Sequence, residues 1–581
     1  MSMSNKKSDL TIDFKRFRLL TFIESGAAVL FTLLEISFHA DISIIAFPLS
    51  LLYLAVWAWF VIKKVIIDTD GSHIYAAIKL NEYLPYFLFI TFIIRRAGKT
   101  GTPFVVDVFA VISWFVIFVL GYLNAKKLYP DKNQKLVTGW KVVPVQKKLT
   151  GVSKLVFEVA DWLDALVWAI FTVLIFQIFL LQLYEIPSES MVPTFLVKDK
   201  VFVSKIDCGP KFPLTDVGLP AFRKYKRGDT IVLRNPHYSM DRKSEVKTVT
   251  SNLIYMLSLT TVKMNKDEDG NLKADPLVKR IAGVPGEQLV MQDGTLYRRT
   301  SSSDVFEPVA LDAKYATWNL NAVSRNIKPY IQSFPLKEDD YQRMLDFEEQ
   351  RRNYDLDVAA FQARELSQRF RTLTKVNADA GSFKQPSVSE NQLFGEAERL
   401  VYDLREKQGG ADWFESFMTS WIPAKDNIRD VYAQSNFTLN VMSKITFGKL
   451  MVEYADLINK GISENNWTAD SVVLDLYDEI STLYWYVQGL LDERNMPVFP
   501  ANDSAGNPQY IPDNCYFMMG DNRFNSLDLR HSYEQKEKAL TSEDPLSVTY
   551  YSMMEPQYIN KKYIIGKPAL RFWPLNRFGK V

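Results

Sequence analysis

The chain has 581 residues, of which 47% are hydrophobic, 13% aromatic and 23% charged, and its formal net charge is +2. This length exceeds one ordinary domain, and the mixture suits a membrane part joined to a soluble part rather than a polytopic transporter. The small net charge, without a dominant basic stripe, argues against a nucleic-acid partner.

Five apolar segments precede residue 185, and each is close to the roughly 20 residues that cross the hydrocarbon core of a bilayer. They cover residues 19–38, 43–62, 74–94, 104–123 and 162–184. The segment 74–94 is the weakest, so four spans are the alternative count. We predict a multi-span membrane region at 1–127, a cytoplasmic basic loop at 128–160 and a final transmembrane anchor at 161–184.

Lysine and arginine side chains set the orientation, because they are enriched in cytoplasmic loops. The N-terminus and the loop 125–160 are both rich in lysine, so both should be cytoplasmic, and five spans then send everything after residue 184 to the far side. The pair Arg95-Arg96 conflicts with this topology, which puts it outside. The acidic residues Glu24, Glu35 and Asp164 are either intramembrane functional groups or side chains near helix ends that face neighbouring helices.

Beyond residue 185, short apolar runs between turn signals predict strands. These runs are 200–203, 230–233, 288–291, 295–297, 516–519 and 563–566. A long segment at 300–508 interrupts them and is mostly helical by its apolar periodicity, with candidate helices at 338–374, 390–408, 426–462 and 469–493. It is either a plain structural insertion or a module that binds a substrate or partner.

Three polar sequence boxes stand out in the soluble part: Pro187–Thr194 with two serines, Val278–Gly286 with a lysine, and Met519–Arg530. A serine hydroxyl needs a nearby base to act as a nucleophile. No histidine falls in a matching motif and no Gly-x-Ser-x-Gly elbow occurs, so a neutral lysine is the alternative base. Lys279 lies in an apolar run, where burial would lower its pKa from the ordinary value of about 10.4.

In this order and after a membrane helix, the three boxes resemble those of bacterial type I signal peptidases, a serine–lysine peptidase family. The resemblance implies an α+β membrane protein with a multi-span helical N-terminal region, a mainly antiparallel β catalytic core and a large α-helical insertion. The core would consist of residues 185–299 and 509–581, and the insertion of residues 300–508.

The resemblance also implies a role for each matching residue. Ser190 would be the nucleophile and Lys279 the general base, while Ser188 and the Ser190 backbone N–H would form the oxyanion hole. Ser526 would orient the lysine. The supporting residues would be Asp521, Asp528 and Arg530, and the substrate pocket would be lined by Ile186, Met191 and Leu277.

Three positions depart from the usual family pattern. Phe524 and Glu287 stand where aspartate is usual, and Glu189 replaces a common small residue between the two serines. None of the three is at a catalytic position of the family.

The implied function is removal of N-terminal signal peptides from exported preproteins through an acyl-enzyme, with cleavage after small residues in an Ala-x-Ala pattern. The expected partners are signal-peptide-bearing preproteins and the lipid bilayer, with the export machinery as a further candidate. The expected location is the bacterial inner membrane, with the catalytic part on the periplasmic side.

Two alternatives remain open at this point. One is a non-catalytic membrane scaffold on a peptidase-like core. The other is a specialised peptidase for a restricted set of exported substrates, with the insertion as selector.

The cysteine and histidine content argues against a metal centre. Two cysteines, Cys208 and Cys515, form no CxxC pair, and the four histidines have no metal-ligand spacing. We therefore expect no metal and no cofactor. The two cysteines flank predicted core strands, and either a disulfide or two buried free thiols fits the sequence.

Overall fold

The computed structural model describes residues 2–128, 151–239, 241–258, 261–266 and 270–581, with side chains from residue 14 onward except that of residue 153. Its architecture is a bundle of long apolar helices, an antiparallel β part and a large set of helices inserted into the β part. The predicted fold class, an α+β membrane protein, is confirmed. Most of the predicted cytoplasmic loop 128–160 lies outside the described residues.

Five helical segments in the first 179 residues are long and apolar enough to cross a membrane. They contain α1 (Ser2–Leu34), α2 (Ala46–Trp57, continued by π-helical turns over Ala58–Ile67), α3 (Ile74–Arg96), α4 (Phe104–Leu128) and α5 (Val152–Phe179). Helix α4 packs against α1 and α3, and α3 packs against α2. Large apolar side chains fill the space between these helices, among them Phe31, Trp57, Phe89 and Trp114.

Polar side chains inside the bundle are paired with one another. The buried guanidinium of Arg96 lies 2.9 Å from a Glu35 oxygen and 2.8 Å from an Asp107 oxygen. Asn124 donates a 2.6 Å hydrogen bond to Glu24. Because a charge in hydrocarbon is costly, these pairings explain how α1, α3 and α4 tolerate ionisable residues. Among them is Arg96, whose position conflicts with the enrichment of basic residues in cytoplasmic loops.

The last candidate membrane helix begins and ends earlier than the sequence prediction, which placed it at 161–184. Helix α5 ends at Phe179, and strand β1 (Leu181–Glu185) follows at once. Residues 181–185 leave the helix because they pair in antiparallel register with a second strand, from Leu181 opposite Ser204 to Glu185 opposite Lys200. Asp164, within α5, accepts a 2.5 Å hydrogen bond from Lys79 of α3.

The β part is attached directly to the bundle through Phe212. Its ring lies 5.9 Å from that of Phe92, 5.6 Å from that of Trp114 and 4.7 Å from that of Phe179, so it joins α3, α4 and α5. Helix α6 (Arg242–Leu257) adds Met256 to the same apolar cluster. The sequence did not predict α6 or this attachment.

The main sheet carries the first and third boxes at its strand ends and the second box on a central strand. Its strands are β1, β2 (Lys200–Ser204), β3 (Thr230–Leu233), β4 (Leu277–Gly283), β9 (Cys515–Met519), β12 (Ile559–Asn560), β13 (Ile564–Trp573) and β14 (Gly579–Lys580). They are antiparallel in the order β1-β2-β13-β3-β4-β9-β12, with β14 beside β13.

A second antiparallel sheet, in the order β7-β6-β5-β8, adjoins the first, and a separate hairpin follows the third box. The second sheet consists of β5 (Glu287–Gln292), β6 (Thr295–Thr300), β7 (Ser303–Pro308) and β8 (Met496–Phe499), and the hairpin of β10 (His531–Ala539) and β11 (Thr549–Met554). Because β8 pairs with β5, the chain returns to the core before residue 500.

Nine helices lie between β7 and β8 in the described chain. They are α7 (Ala310–Tyr315), α8 (Glu338–Arg352), α9 (Leu356–Thr372), α10 (Glu390–Gly395), α11 (Ala397–Glu406), α12 (Gly410–Thr419), α13 (Val431–Asn459), α14 (Ser471–Gly489) and α15 (Leu491–Arg494). Most of them pack against α13, which is buried along most of its length. The predicted segments 338–374 and 390–408 each contain two of these helices, and α7 and α12 were not predicted.

The β10–β11 hairpin completes the core of these helices. Its residues Leu540, Val548 and Tyr550 belong to the same apolar cluster as α13. Beside them, Lys444 of α13 forms a fully buried ion pair with Asp544, at 2.5 Å. The tip of the hairpin therefore belongs physically to the helical insertion, although it lies far from it in sequence.

Cys208 and Cys515 are both free and buried. Of the two states that the sequence allowed, the structure has the free thiols.

Candidate active site

The two serines of the first box lie in the loop that joins β1 to β2. Ser188 is exposed and Ser190 is half-buried. The Ser188 hydroxyl donates to the Ser190 hydroxyl at 3.3 Å. The loop turns tightly, since Val192 N donates to Glu189 O at 3.0 Å. The two predicted serines are thus brought within one hydrogen bond of each other.

Lys279 lies on the central strand β4, directly opposite Ile231 of β3. Its side chain is only 3% exposed. Burial lowers the pKa of this lysine to about 8; the charge of Asp528 opposes the shift, whereas that of Arg530 favours it. Within the described residues, the lysine amine has no ion pair or hydrogen bond that would hold it in the charged form.

Gly520 is the point at which the first and third boxes meet. A β-carbon at this position would collide with the Ser526 hydroxyl and with the carbonyl oxygen of Ser190. Asn522 N also donates to that carbonyl oxygen, at 3.1 Å. Any side chain larger than that of glycine would therefore separate Ser526 from the loop that carries Ser188 and Ser190.

Asp528 and Arg530 form a buried pair under Ser526. Arg530 Nε lies 2.9 Å from Asp528 Oδ1, while the Ser526 hydroxyl and Gly520 N each donate to Asp528 Oδ2 at 2.8 Å. Burial would raise the pKa of Asp528, but the charge and hydrogen bonds of Arg530 outweigh it and lower that pKa. The carboxylate is therefore ionised and fixes the Ser526 hydroxyl in one direction.

A second buried pair, which the sequence did not predict, links all three boxes. Arg280 binds Asp521 through two hydrogen bonds, of 2.7 and 2.6 Å, and also donates to Thr194 Oγ1 at 3.0 Å. The sequence predicted support from Asp521 without naming its partner. The available signal was the position of Arg280 directly after Lys279. Adjacent side chains on a strand point to opposite faces, so Arg280 would lie on the face of β4 opposite to the buried lysine.

The predicted pocket residues divide between two apolar clusters. Ile186 and Met191 pack together in one of them, with Val278 at its margin. Leu277 belongs to the neighbouring cluster, with Ile231. Since Leu277 and Val278 are adjacent on β4, they face opposite sides of the sheet. The structure thus brings Ile186 and Met191 together and adds Val278, but not Leu277.

The positions that depart from the family pattern have their own contacts. Phe524 packs against the ring of Trp318, with 5.0 Å between centroids. Glu287 lies 3.0 Å from Arg298. Both new partners come from outside the three boxes.

Across the part of the chain that the structure describes, no group of three or more histidine, cysteine, aspartate or glutamate residues could hold a metal ion.

Residues 159–355 match the family model described as "Signal peptidase, peptidase S26". This range contains the first two boxes and ends before the third. Three curated relatives are signal peptidases I, from Buchnera aphidicola (27% identical), Pseudomonas aeruginosa (31%) and Haemophilus influenzae (29%). The matches cover 26, 21 and 23% of this chain.

The chain spans about two fifths of the length of these relatives, with 42, 43 and 36% of each covered. No solved structure gives a significant match.

Proposed function

We propose that this chain is a membrane-bound serine endopeptidase, which removes signal peptides from exported preproteins. The premise of the proposal is the match to the signal peptidase S26 family. The observation that supports this proposal is Lys279, a buried lysine without an ion pair in the described chain, which feels the charge of Asp528, the carboxylate that binds Ser526.

The lowered pKa makes Lys279 suitable as a general base. With a pKa of about 8, about one lysine in ten is neutral at pH 7, against about one in 3000 at the ordinary value. The neutral amine would take the proton of the Ser190 hydroxyl as its oxygen attacks the scissile carbonyl carbon. Ser526, whose hydroxyl donates to Asp528, would orient that amine.

The oxyanion of the tetrahedral intermediate would accept hydrogen bonds from the Ser188 hydroxyl and the Ser190 backbone N–H. Collapse of the intermediate breaks the C–N bond, and Lys279 returns its proton to the leaving amine. A water molecule, deprotonated by the same lysine, would then hydrolyse the ester on Ser190. Hydrogen-bond donors of an oxyanion hole stabilise the transition state because they point to the oxygen on which negative charge develops.

Small apolar residues before the scissile bond would fit beside Ile186 and Met191. These side chains are packed with Phe195 into one tight cluster, which leaves little room for a bulky group. Cleavage after an Ala-x-Ala pattern is consistent with this surface, because a side chain that overfills a pocket is rejected.

We further propose that the protein lies in the bacterial inner membrane with this site on the periplasmic side. The lysine-rich N-terminus and Lys126 and Lys127 at the end of α4 favour a cytoplasmic location for those ends. Five crossings then put β1 and everything after it on the opposite side.

The testing experiment is cleavage of a preprotein with one Ala-x-Ala site by the full chain in detergent, beside Ser190→Ala. Cleavage at that site by the wild type alone supports both the activity and the nucleophile. No cleavage by a folded wild type would overturn the proposal and favour the scaffold.

A specialised peptidase is the second candidate, and one contact favours it. The carboxylate of Glu189, between the two serines, accepts a 2.6 Å hydrogen bond from Gln332 N, which belongs to the helical insertion. The insertion therefore reaches the nucleophile loop itself.

A further inference from the structure

Residues 317–336, which connect α7 to α8, lie against the third box. Thr317 N donates to the carbonyl oxygen of Asp521 at 2.7 Å. The ends of the segment meet, because Leu336 N donates to Trp318 O at 3.2 Å. These residues therefore form a closed loop, here called the 317–336 loop, whose base is fixed to the candidate active site.

The returning arm of the 317–336 loop, which leads to α8, is fixed to the loop of Ser188 and Ser190 through Glu189. This carboxylate is only 6% exposed and accepts hydrogen bonds from Gln332 N at 2.6 Å and from Ser333 Oγ at 3.3 Å. Asn522 Nδ2 bridges the two loops, with Glu189 O at 3.1 Å and Phe334 O at 3.3 Å. Within the described chain, Glu189 has no ion pair, so its buried charge depends on these hydrogen bonds.

The path of a bound substrate follows from where β1 begins. The apolar part of a signal peptide precedes the scissile bond and lies in the bilayer. Strand β1 starts two residues after α5 ends and leads from the membrane to the nucleophile loop. Residues before the bond would therefore return along β1, and residues after it would leave past the far end, where Glu189 meets the 317–336 loop.

We infer that Gln332 and Ser333 form a wall of the substrate cleft and contact the first residues after the scissile bond. Both side chains are exposed beside the nucleophile loop, while their backbone and hydroxyl groups are held by Glu189. An uncharged amide and a hydroxyl would favour polar over apolar residues at the start of the mature chain. This inference rests on the proposed function, and Glu189 serves in it as a positioning residue.

The test uses the full chain in detergent and two pairs of preproteins. The first pair is identical up to the bond and has Ser-Thr or Val-Leu after it; the second pair differs only three residues before the bond, with Ala or Val. We expect Gln332→Ala to reduce the polar preference in the first pair by about fivefold, the effect of one hydrogen bond, and to leave the ratio in the second pair unchanged.

The matched control is Asn326→Ala, which removes an exposed amide from the same loop and should change neither ratio. Glu189→Ala should lose the preference in the first pair, whereas Glu189→Gln, which keeps an acceptor for Gln332 N, should retain it. A first-pair ratio that Gln332→Ala does not move, or equal changes in both ratios, would overturn the inference. A wild type that cleaves no preprotein would overturn the proposed function with it.

Discussion

A buried lysine of the β core, Lys279, and a buried lysine of the helical insertion, Lys444, have opposite surroundings. Lys444 in α13 lies 2.5 Å from Asp544 and donates to Phe417 O at 2.8 Å and to Ser420 Oγ at 3.0 Å. Lys279 on β4 has comparable burial but no described ion pair or hydrogen bond at its amine.

Burial lowers the pKa of both lysines, so the pKa alone does not distinguish a base from a structural cation. The partners do. Three acceptors match the three N–H groups of a charged Lys444, whereas nothing holds the proton on Lys279. Substituting each lysine by methionine, which has a similar length and no charge, separates the two roles.

Lys279→Met should abolish cleavage, with a loss of at least about 10³-fold in kcat, because the base would be gone. The thermal unfolding midpoint should stay the same or rise, since the substitution removes a buried amine that has no partner. Preprotein cleavage and thermal unfolding, each with Lys580→Met on β14 as an exposed control, check this. Retained cleavage would contradict the assignment of the base.

Lys444→Met should destabilise the protein by about 3–5 kcal/mol, because Asp544 would keep a buried charge without its cation. The control is Lys449→Met on the same helix, whose exposed pair with Glu479 at 3.7 Å should contribute less than about 1 kcal/mol. Chemical denaturation measures both. If Lys444→Met and the wild type had equal free energies of unfolding, the Lys444–Asp544 pair would contribute nothing to stability.

Ser188→Ala should lower kcat by about 10²–10³-fold, the usual effect of losing one oxyanion-hole donor, with little change in KM. Steady-state kinetics with one preprotein measure the two parameters separately. A change confined to KM would instead assign Ser188 to substrate binding.

The pH dependence should follow Lys279. Its neutral form is the base, so kcat/KM should rise about tenfold per pH unit below the pKa of about 8 and level off above it. Circular dichroism at each pH controls for unfolding. A profile that is flat between pH 6 and 8 would exclude this lysine as the titrating group.

Local sequence patterns predicted much of this molecule. The signal peptidase resemblance is confirmed by the family match, and the five candidate spans and the long insertion helices follow from apolar periodicity. Glycine and serine at fixed offsets marked the third box. The catalytic roles, the domain boundaries and the periplasmic orientation stay predictions.

Contacts between residues distant in sequence were not predictable from such patterns. The Arg280–Asp521 pair, the Glu189–Gln332 hydrogen bond and the Lys444–Asp544 pair at the hairpin tip each join residues at least 100 positions apart. Composition carries no information on which buried cation meets which carboxylate. The early end of α5 was missed for the same reason, because only the partner strand β2 makes residues 181–185 extended.

The ring of Phe212 between α3, α4 and α5 has a geometric consequence for substrates. A catalytic core attached only by α5 could tilt, and its serine could sample a range of heights above the lipid. Phe212 and Met256 of α6 also pack on the bundle, and these additional attachments would restrict such a tilt. The spacing between the apolar stretch of a signal peptide and its cleavage bond would then decide whether the bond reaches Ser190, independently of the side chains around it.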